Sequence, residues 1–169
     1  MTEIRDASAV LIVDDDQVLL QALPETVRLR MKGVEVETAE DAFAALASIK
    51  ARDYDAIVTD IKMPGMDGLQ LLARIHELAP EVPTLLITGH GEQELTVEAL
   101  RAGAYDFIQK PIDRDYFVAS LGRAIQVRQL RRSLARHTDQ LERIVEERTG
   151  ALRVLAEAGR SFTATCTTS

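Results

Sequence analysis

Acidic side chains occur where two predicted strands of this sequence end. Asp14, Asp15 and Asp16 follow directly on the first apolar run, and Asp60 follows on the third. In a parallel sheet ligands gather at the carboxyl ends of the strands, so these carboxylates meet if the two strands are neighbours. Carboxylates held together repel one another unless a cation joins them, and Mg²⁺ suits the task because it often pairs carboxylates with a phosphate. Helix capping explains the triple Asp equally well when it is taken alone.

A hydroxyl group and an ammonium group are predicted at the same edge of the sheet. Thr88 ends the fourth predicted strand, and Lys110 ends the fifth. Each could neutralise or hydrogen-bond the oxygens of a phosphoryl group, whose charge spreads during transfer. Together with a metal ion beside Asp60, these groups indicate a site at which an aspartate becomes phosphorylated.

Five short apolar runs, separated by stretches with helical spacing, must position these groups. The helical spacing is clear at Leu69, Leu72 and Ile75. Alternation of strand and helix predicts βα units, and therefore an α/β fold with a parallel sheet covered by helices on both faces. The runs predicted as strands are Val10–Val13, Val34–Val36, Ala56–Val58, Leu85–Ile87 and Phe107–Ile108.

The strand patterns also indicate positions within the sheet. Val10–Val13 and Leu85–Ile87 are continuously apolar, which is typical of strands buried on both faces. The second run continues as Val34-Glu35-Val36-Glu37 and alternates, so we expect it at an edge.

Glycine and proline mark the expected helix ends and one irregularity. Gly33 and Gly103 each follow a helical pattern at a point where a left-handed C-terminal cap is expected. Pro24 lies inside the first predicted helix and removes one backbone hydrogen bond there. We therefore expect a kink or break near Leu20 to Leu23.

Four segments of the sequence resemble one known family. VLIVDDD, IVTDIKMPGMDGL, LLITGHG and GAYDFIQKP occur in the order found in the receiver domain of two-component response regulators, most similar to receivers of the NtrC type. The resemblance covers roughly residues 9 to 125. It implies a flavodoxin-like (βα)5 doubly wound fold with strand order 2-1-3-4-5.

The resemblance also implies a role for each acidic residue. Asp60 would be the phosphoacceptor, attacking the phosphohistidine of a partner kinase as a carboxylate nucleophile. The metal ligands for Mg²⁺ would be Asp60, Asp15 directly, Asp14 through water, and the backbone carbonyl of Lys62. The chain would then be a phosphoacceptor signalling domain rather than an enzyme.

Three other residues have implied roles in the response to phosphorylation. Thr88 would bond the phosphoryl group and move toward it, and Lys110 would pair with a phosphoryl oxygen. Lys110-Pro111 resembles the family's cis peptide bond. Phe107 would be the aromatic side chain whose rotation reports the change, or else it is only a core aromatic.

A long helix is predicted after the receiver-like segment, from Asp113 to about Ala158. Its apolar residues follow a heptad pattern, which favours a coiled coil and a homodimer, although a single amphipathic helix that folds back on the domain is the alternative. The residues in that pattern are Val127, Leu130, Leu134, Leu141 and Ile144. We expect a receiver domain at 1–125, a helical coiled-coil extension at 126–158 and a flexible tail at 159–169.

The helical segment leaves two function classes open. LERIVEERTGAL resembles signalling helices that connect receivers to downstream domains. The chain would either relay phosphorylation to a dimeric helix or be the regulatory N-terminal part of a larger signalling enzyme such as a histidine kinase. A third class, a phosphate-ester hydrolase that uses Asp60 as its nucleophile, would need a second acid/base residue two positions later. Lys62 occupies that position, which argues against this class.

Composition limits the classes of partner that this chain is expected to bind. The net charge of −7 disfavours attraction to nucleic-acid phosphates, so we expect no direct nucleic-acid contact. The sequence has no apolar run long enough to span a bilayer and no pattern of a secretory signal, which predicts no membrane contact and a cytoplasmic protein. The partner implied by the resemblance is a cognate histidine kinase or a phosphotransfer protein.

Overall fold

The computed structural model describes residues 7–166, with side chains described for residues 7–150. Within that range, five strands alternate with five helices along the chain. The strands are β1 (Ser8–Val13), β2 (Val34–Ala39), β3 (Ala56–Asp60), β4 (Thr84–Thr88) and β5 (Asp106–Gln109). The helices are α1 (Gln17–Arg30), α2 (Ala42–Ala51), α3 (Gly68–Leu78), α4 (Gln93–Arg101) and α5 (Arg114–Cys166). All five predicted strands are therefore present.

The strands form one parallel sheet in the order β2-β1-β3-β4-β5, as predicted. The register brings the predicted site together, because Val13 pairs with Thr59 and Asp60 pairs with Ile87. The residues that follow these pairs meet at one edge of the sheet. Lys110 joins them there, since its backbone N–H donates to the Thr88 carbonyl at 2.7 Å.

The core lies on both faces of the sheet because alternate strand residues point to opposite sides. Val10 and Ile12 pack in a cluster with residues of α1 and α5, whereas Leu11 and Val13 pack in another with residues of α2 and α3. A third cluster joins Leu86 of β4 to α3 and α4. Every residue of β1 is buried, so this strand is central as predicted.

β2 lies at an edge of the sheet and carries charges there. Glu35 and Glu37 both form ion pairs with Arg52, at 2.6 and 2.5 Å. Tyr54 donates a hydrogen bond from its hydroxyl group to Glu37. The alternating pattern of β2 therefore reflects an edge strand whose charged residues are paired.

Of the kink or break expected in the first helix, the break is absent. α1 runs as one helix from Gln17 to Arg30 with Pro24 inside it. An interior proline costs about 3 kcal/mol, but Leu20 and Val27 on either side of it are buried in the core. Packing of both halves of α1 holds the helix together, which the local sequence does not reveal.

Gly33 and Gly103 adopt the left-handed conformation that their positions predict, with φ of 72° and 100°. At Gly103 the end of α4 forms a Schellman motif: the Gly103 N–H donates to the Leu100 carbonyl and the Ala104 N–H to the Ala99 carbonyl. These two hydrogen bonds end α4 and turn the chain within a few residues into β5.

The chain divides into two compact units, the first ending at Gln129 and the second beginning at Leu130. In the second unit, the heptad residues Leu130, Leu134 and Leu141 are each more than 60% exposed. The helix extends to Cys166, past its predicted end near Ala158, and the segment 159–166 contains no proline to stop it. Residues 167–169 of the predicted tail lie outside the described residues. None of the helices in the described part is both long and apolar enough to cross a membrane.

Candidate functional site

Asp60 is the last residue of β3 and is only 5% exposed. Its Oδ2 accepts a hydrogen bond from Lys110 Nζ at 2.9 Å, which is also an ion pair. Burial opposes the charge on Lys110, but the hydrogen bond and the attraction of Asp60 outweigh it and raise the pKa of the lysine. Lys110 therefore stays protonated beside the Asp60 carboxylate. The Lys110-Pro111 peptide bond is cis, as the resemblance implied.

The three consecutive aspartates have three different environments. Asp16 is the N-cap of α1 and accepts a hydrogen bond from the Val18 N–H at 2.9 Å. Asp15 is exposed, and Asp14 is fully buried. The capping explanation thus applies to Asp16, while Asp14 and Asp15 remain available to the site.

Asp14 is a buried carboxyl group with one unused oxygen. Its Oδ1 accepts from the Asp16 N–H at 2.9 Å, whereas Oδ2 has no hydrogen-bond partner among the described residues. Burial, aided by the nearby charge of Asp60, raises the pKa of Asp14 to about 6. An ionised Asp14 would therefore be stabilised by a cation.

The residues present fit Mg²⁺. Asp14, Asp15 and Asp60 each offer a carboxylate oxygen, and these oxygens lie within 4.8 Å of one another. All are hard oxygen donors, which Mg²⁺ prefers. The Oδ2 of Asp14, which has no hydrogen-bond partner, would gain one in the bound ion or its water. Among the described residues this is the one grouping of acidic, histidine or cysteine side chains close enough to hold an ion.

Thr88 and Phe107 adjoin one cavity beside the site. Thr88 ends β4 and is 3% exposed, and Phe107 is half-buried in β5. Both line a cavity of about 320 Å³ that Thr96 and Val97 of α4 also line. Phe107 thus has open space beside its ring and is not one of the fully buried core side chains.

The loop after Asp60 is shaped by two glycines and a helix cap. Gly65 has φ of 83°, and Asp67 caps α3 through a capping box with Gln70. Gly68 packs directly on the site, because a Cβ built on it would lie 2.3 Å from the Asp60 carbonyl oxygen. This close approach depends on the tertiary fold and is not visible in the sequence.

Lys62 lies two residues after Asp60, and its side chain pairs with Glu92, a residue that the sequence did not single out. Lys62 Nζ lies 3.1 Å from Oε1 of Glu92, a carboxylate that is 5% exposed. Nothing in the sequence distinguishes Glu92 from the exposed Glu94 in the first turn of α4. The role implied for the Lys62 carbonyl stays a prediction.

Comparison with known proteins identifies the family. Residues 10–122 match the model of the response regulator receiver domain. This chain belongs to the response regulator receiver family. The predicted recognition and fold are thereby confirmed, and the receiver is a phosphoacceptor signalling domain of two-component systems.

Curated relatives of the receiver are regulators of the NtrC type. It is 39% identical over 158 residues to the C4-dicarboxylate transport transcriptional regulatory protein DctD of Pseudomonas aeruginosa, covering 89% of this chain and 34% of that protein. It is 42% identical over 130 residues to the nitrogen assimilation regulatory protein NtrX of Azorhizobium caulinodans, covering 76% and 28%. The chain therefore spans about a third of these relatives, and they do not favour the alternative of a histidine kinase part.

Solved structures agree with the assignment. A CheY-like response regulator receiver domain protein from Methanospirillum hungatei superposes with a TM-score of 0.69 at 30% identity, covering 74% of this chain and 98% of that one. NtrX from Brucella abortus, solved in complex with ATP, has a TM-score of 0.69 at 38% identity and covers 76% and 29%. Both similarities concern the receiver portion of this chain.

Proposed function

We propose that Asp60 accepts a phosphoryl group from the phosphohistidine of a cognate histidine kinase or phosphotransfer protein. One observation carries the proposal: Asp60 combines an ion pair to Lys110 at 2.9 Å with two further carboxylates, Asp14 and Asp15, whose oxygens lie within 4.8 Å. A lone aspartate at a strand end would have neither the cation nor the acidic partners.

The transfer is a nucleophilic substitution at phosphorus. An Asp60 Oδ attacks the phosphorus atom, a P–O bond forms, the P–N bond breaks, and its electron pair leaves with the imidazole. Lys110 pairs with a phosphoryl oxygen as the charge moves off Asp60, and the Thr88 hydroxyl donates to another. Lys110 is suited to this because it is already charged and already placed on Asp60.

Mg²⁺ would be held by Asp14, Asp15, Asp60 and the Lys62 carbonyl. When bound, the ion neutralises charge on the carboxylates and on the phosphoryl oxygens. Without a cation, the negative charges of Asp14 and Asp15 would repel the anionic phosphodonor. Any later loss of the phosphoryl group is slow regulatory chemistry in this proposal, not enzymatic turnover.

The change at Asp60 passes to the helical extension. Movement of Thr88 toward the phosphoryl group enlarges the cavity beside Phe107, and the ring rotates into it. We assign 1–125 to the receiver and 126–158 to the extension; of the segment 159–169 predicted as a tail, the part up to Cys166 continues α5. The exposed residues Leu134 and Leu141 then form the seam of a homodimer. The lack of direct nucleic-acid contact stays a prediction from the net charge.

Phosphorylation can be measured with a small-molecule phosphodonor and Mg²⁺, followed by intact mass. We expect one added phosphoryl group on the wild type and none on Asp60→Asn, which keeps the shape of the side chain but removes the nucleophile. Asp139→Asn, at an exposed position of α5, is the matched control and should react like the wild type. Equal phosphorylation of the Asp60→Asn variant would exclude Asp60 as the acceptor.

A further inference from the structure

Glu92 is a buried carboxylate beside the site that the proposed phosphotransfer does not use. It is the residue just before α4, four positions after Thr88, and is 5% exposed. Acidic side chains are almost never buried unless they are paired, so the partners of Glu92 explain why it can lie there.

Two donors hold the carboxylate. Oε2 accepts from the Gly89 N–H at 2.7 Å, and Oε1 pairs with Lys62 Nζ at 3.1 Å. Burial disfavours the charge of the carboxylate, and the hydrogen bond from Gly89 and the ion pair with Lys62 compensate for that cost. The group is therefore an anion held by a backbone amide and an ammonium group.

Capping of its own helix does not account for this position. A cap side chain accepts from an N–H group in the first turn of the helix it begins, and α4 has no such side-chain hydrogen bond. The Glu92 carboxylate is directed backward instead, to the residue after Thr88. The partners of the carboxylate are therefore Gly89, just after β4, and Lys62, in the loop after β3.

The same donors are suited to a phosphoryl group on Asp60. Gly89 directly follows Thr88 and Lys62 is two residues after Asp60, and the strands that precede them, β4 and β3, are paired neighbours. A phosphoryl group adds roughly two negative charges and three strong acceptor oxygens. Two anions in one partly buried set of donors repel each other, so they do not share these donors.

We propose that Glu92 competes with the phosphoryl group: its carboxylate occupies the Gly89 amide and Lys62 in the unphosphorylated chain, and phosphorylation of Asp60 displaces it. Displacement reaches α4 because the Glu92 carbonyl accepts from both the N–H and the hydroxyl group of Thr96 in the first turn. Glu92 and Thr96 line the same cavity as Phe107. Glu92 is thus a positioning residue that holds the start of α4 in its resting place, an inference that rests on the proposed phosphorylation of Asp60.

The affinity for a phosphoryl mimic tests the competition. Beryllium fluoride with Mg²⁺, titrated into the full chain by calorimetry, reports binding at Asp60 without the kinetics of transfer. Glu92→Gln keeps the size and an acceptor for Gly89 but loses the charge, and a neutral hydrogen bond is weaker than a charged one, so affinity should rise about ten-fold. Glu94→Gln, the exposed acid two residues on, is the control for net charge and should match the wild type.

Hydrogen exchange is a second measurement. If Glu92 only stabilised the fold, binding of the mimic would not change the exchange rate at the start of α4. In the wild type, beryllium fluoride should speed exchange of the Thr96 amide and the rest of the first turn of α4. Lys62→Met, at a side chain that is 72% exposed and therefore compatible with folding, should speed the same exchange without any ligand.

The outcomes separate the two proposals. If the wild type binds the mimic but Glu92→Gln binds no better than Glu94→Gln, the competition is wrong and phosphorylation of Asp60 stands. If Glu92→Gln unfolds, unchanged exchange in the Lys62→Met variant would overturn the competition by itself. If the wild type shows no binding that depends on Asp60, the proposed function fails and the competition with it.

Discussion

Gly68 is the position at which one added methyl group should damage both the fold and the site. A Cβ there would lie 2.3 Å from the Asp60 carbonyl oxygen and 2.8 Å from Ile61 Cα, both of them backbone atoms. Ordinary contacts of a Cβ begin near 3.4 Å, so the backbone must separate by roughly 1 Å. The Gly68 N–H also donates to the Ile61 carbonyl at 2.7 Å, which holds the start of α3 against this backbone segment.

Two magnitudes follow for Gly68→Ala. Overpacking against atoms that cannot rotate away should lower the free energy of unfolding by about 3 kcal/mol. Misplacement of a reacting group by roughly 1 Å can slow a reaction about a hundredfold, so phosphorylation from a small phosphodonor should slow by that order. The rate should be measured at saturating Mg²⁺, so that any weaker binding of the ion does not contribute to the change.

Urea unfolding and the rate of phosphorylation measure the two effects separately. Gly122→Ala is the matched control: its Cβ would meet only Met31 Cε at 3.8 Å, and alanine in a helix interior stabilises by about 1 kcal/mol relative to glycine. The two substitutions should therefore change stability in opposite directions. Wild-type stability and rate in Gly68→Ala would refute the reasoning.

Two further outcomes are expected. The pKa of Asp14 is raised to about 6 in the fold, so the folded state binds more protons than the unfolded one between pH 4 and 6, and its stability falls as pH rises through that window. Without Mg²⁺, Asp14→Asn should raise the free energy of unfolding at pH 8 by about 3 kcal/mol. The same variant should lose the stabilisation that added Mg²⁺ gives the wild type, and a Mg²⁺ effect of wild-type size would contradict the proposed metal site. For the helical extension, sedimentation should show a dimer that weakens in Leu134→Asp and Leu141→Asp but persists in Ala135→Asp, on the outer face of the heptad. A monomer in all four proteins would rule out the coiled coil.

The strands and the grouping of residues at the end of β3, β4 and β5 could be predicted because their signals are local. Each apolar run ends at a residue whose chemistry is visible in the sequence, and parallel pairing alone brings Asp60, Thr88 and Lys110 to one edge. The charges at Glu35 and Glu37 identified the edge strand for the same reason. These features depend on neighbours in the chain and on the general geometry of a parallel sheet.

The features that could not be predicted depend on contacts between distant segments. The local sequence does not assign Asp14, Asp15 and Asp16 to different roles, because that depends on where the chain turns into α1. Glu92 and Glu94 are the same residue type two positions apart, and only the fold buries Glu92 and places Gly89 and Lys62 beside it. Continuity through Pro24 depends on the packing of α1 and not on helix propensity.

The paired charges of β2 affect how the protein behaves at high concentration. An open sheet edge can template the addition of a strand from a neighbouring molecule, which is how many folded domains begin to aggregate. A strand arriving beside β2 would have to come close to Glu35 and Glu37 and disturb their ion pairs with Arg52. The β2 edge should therefore resist the addition of a strand from another copy of the chain.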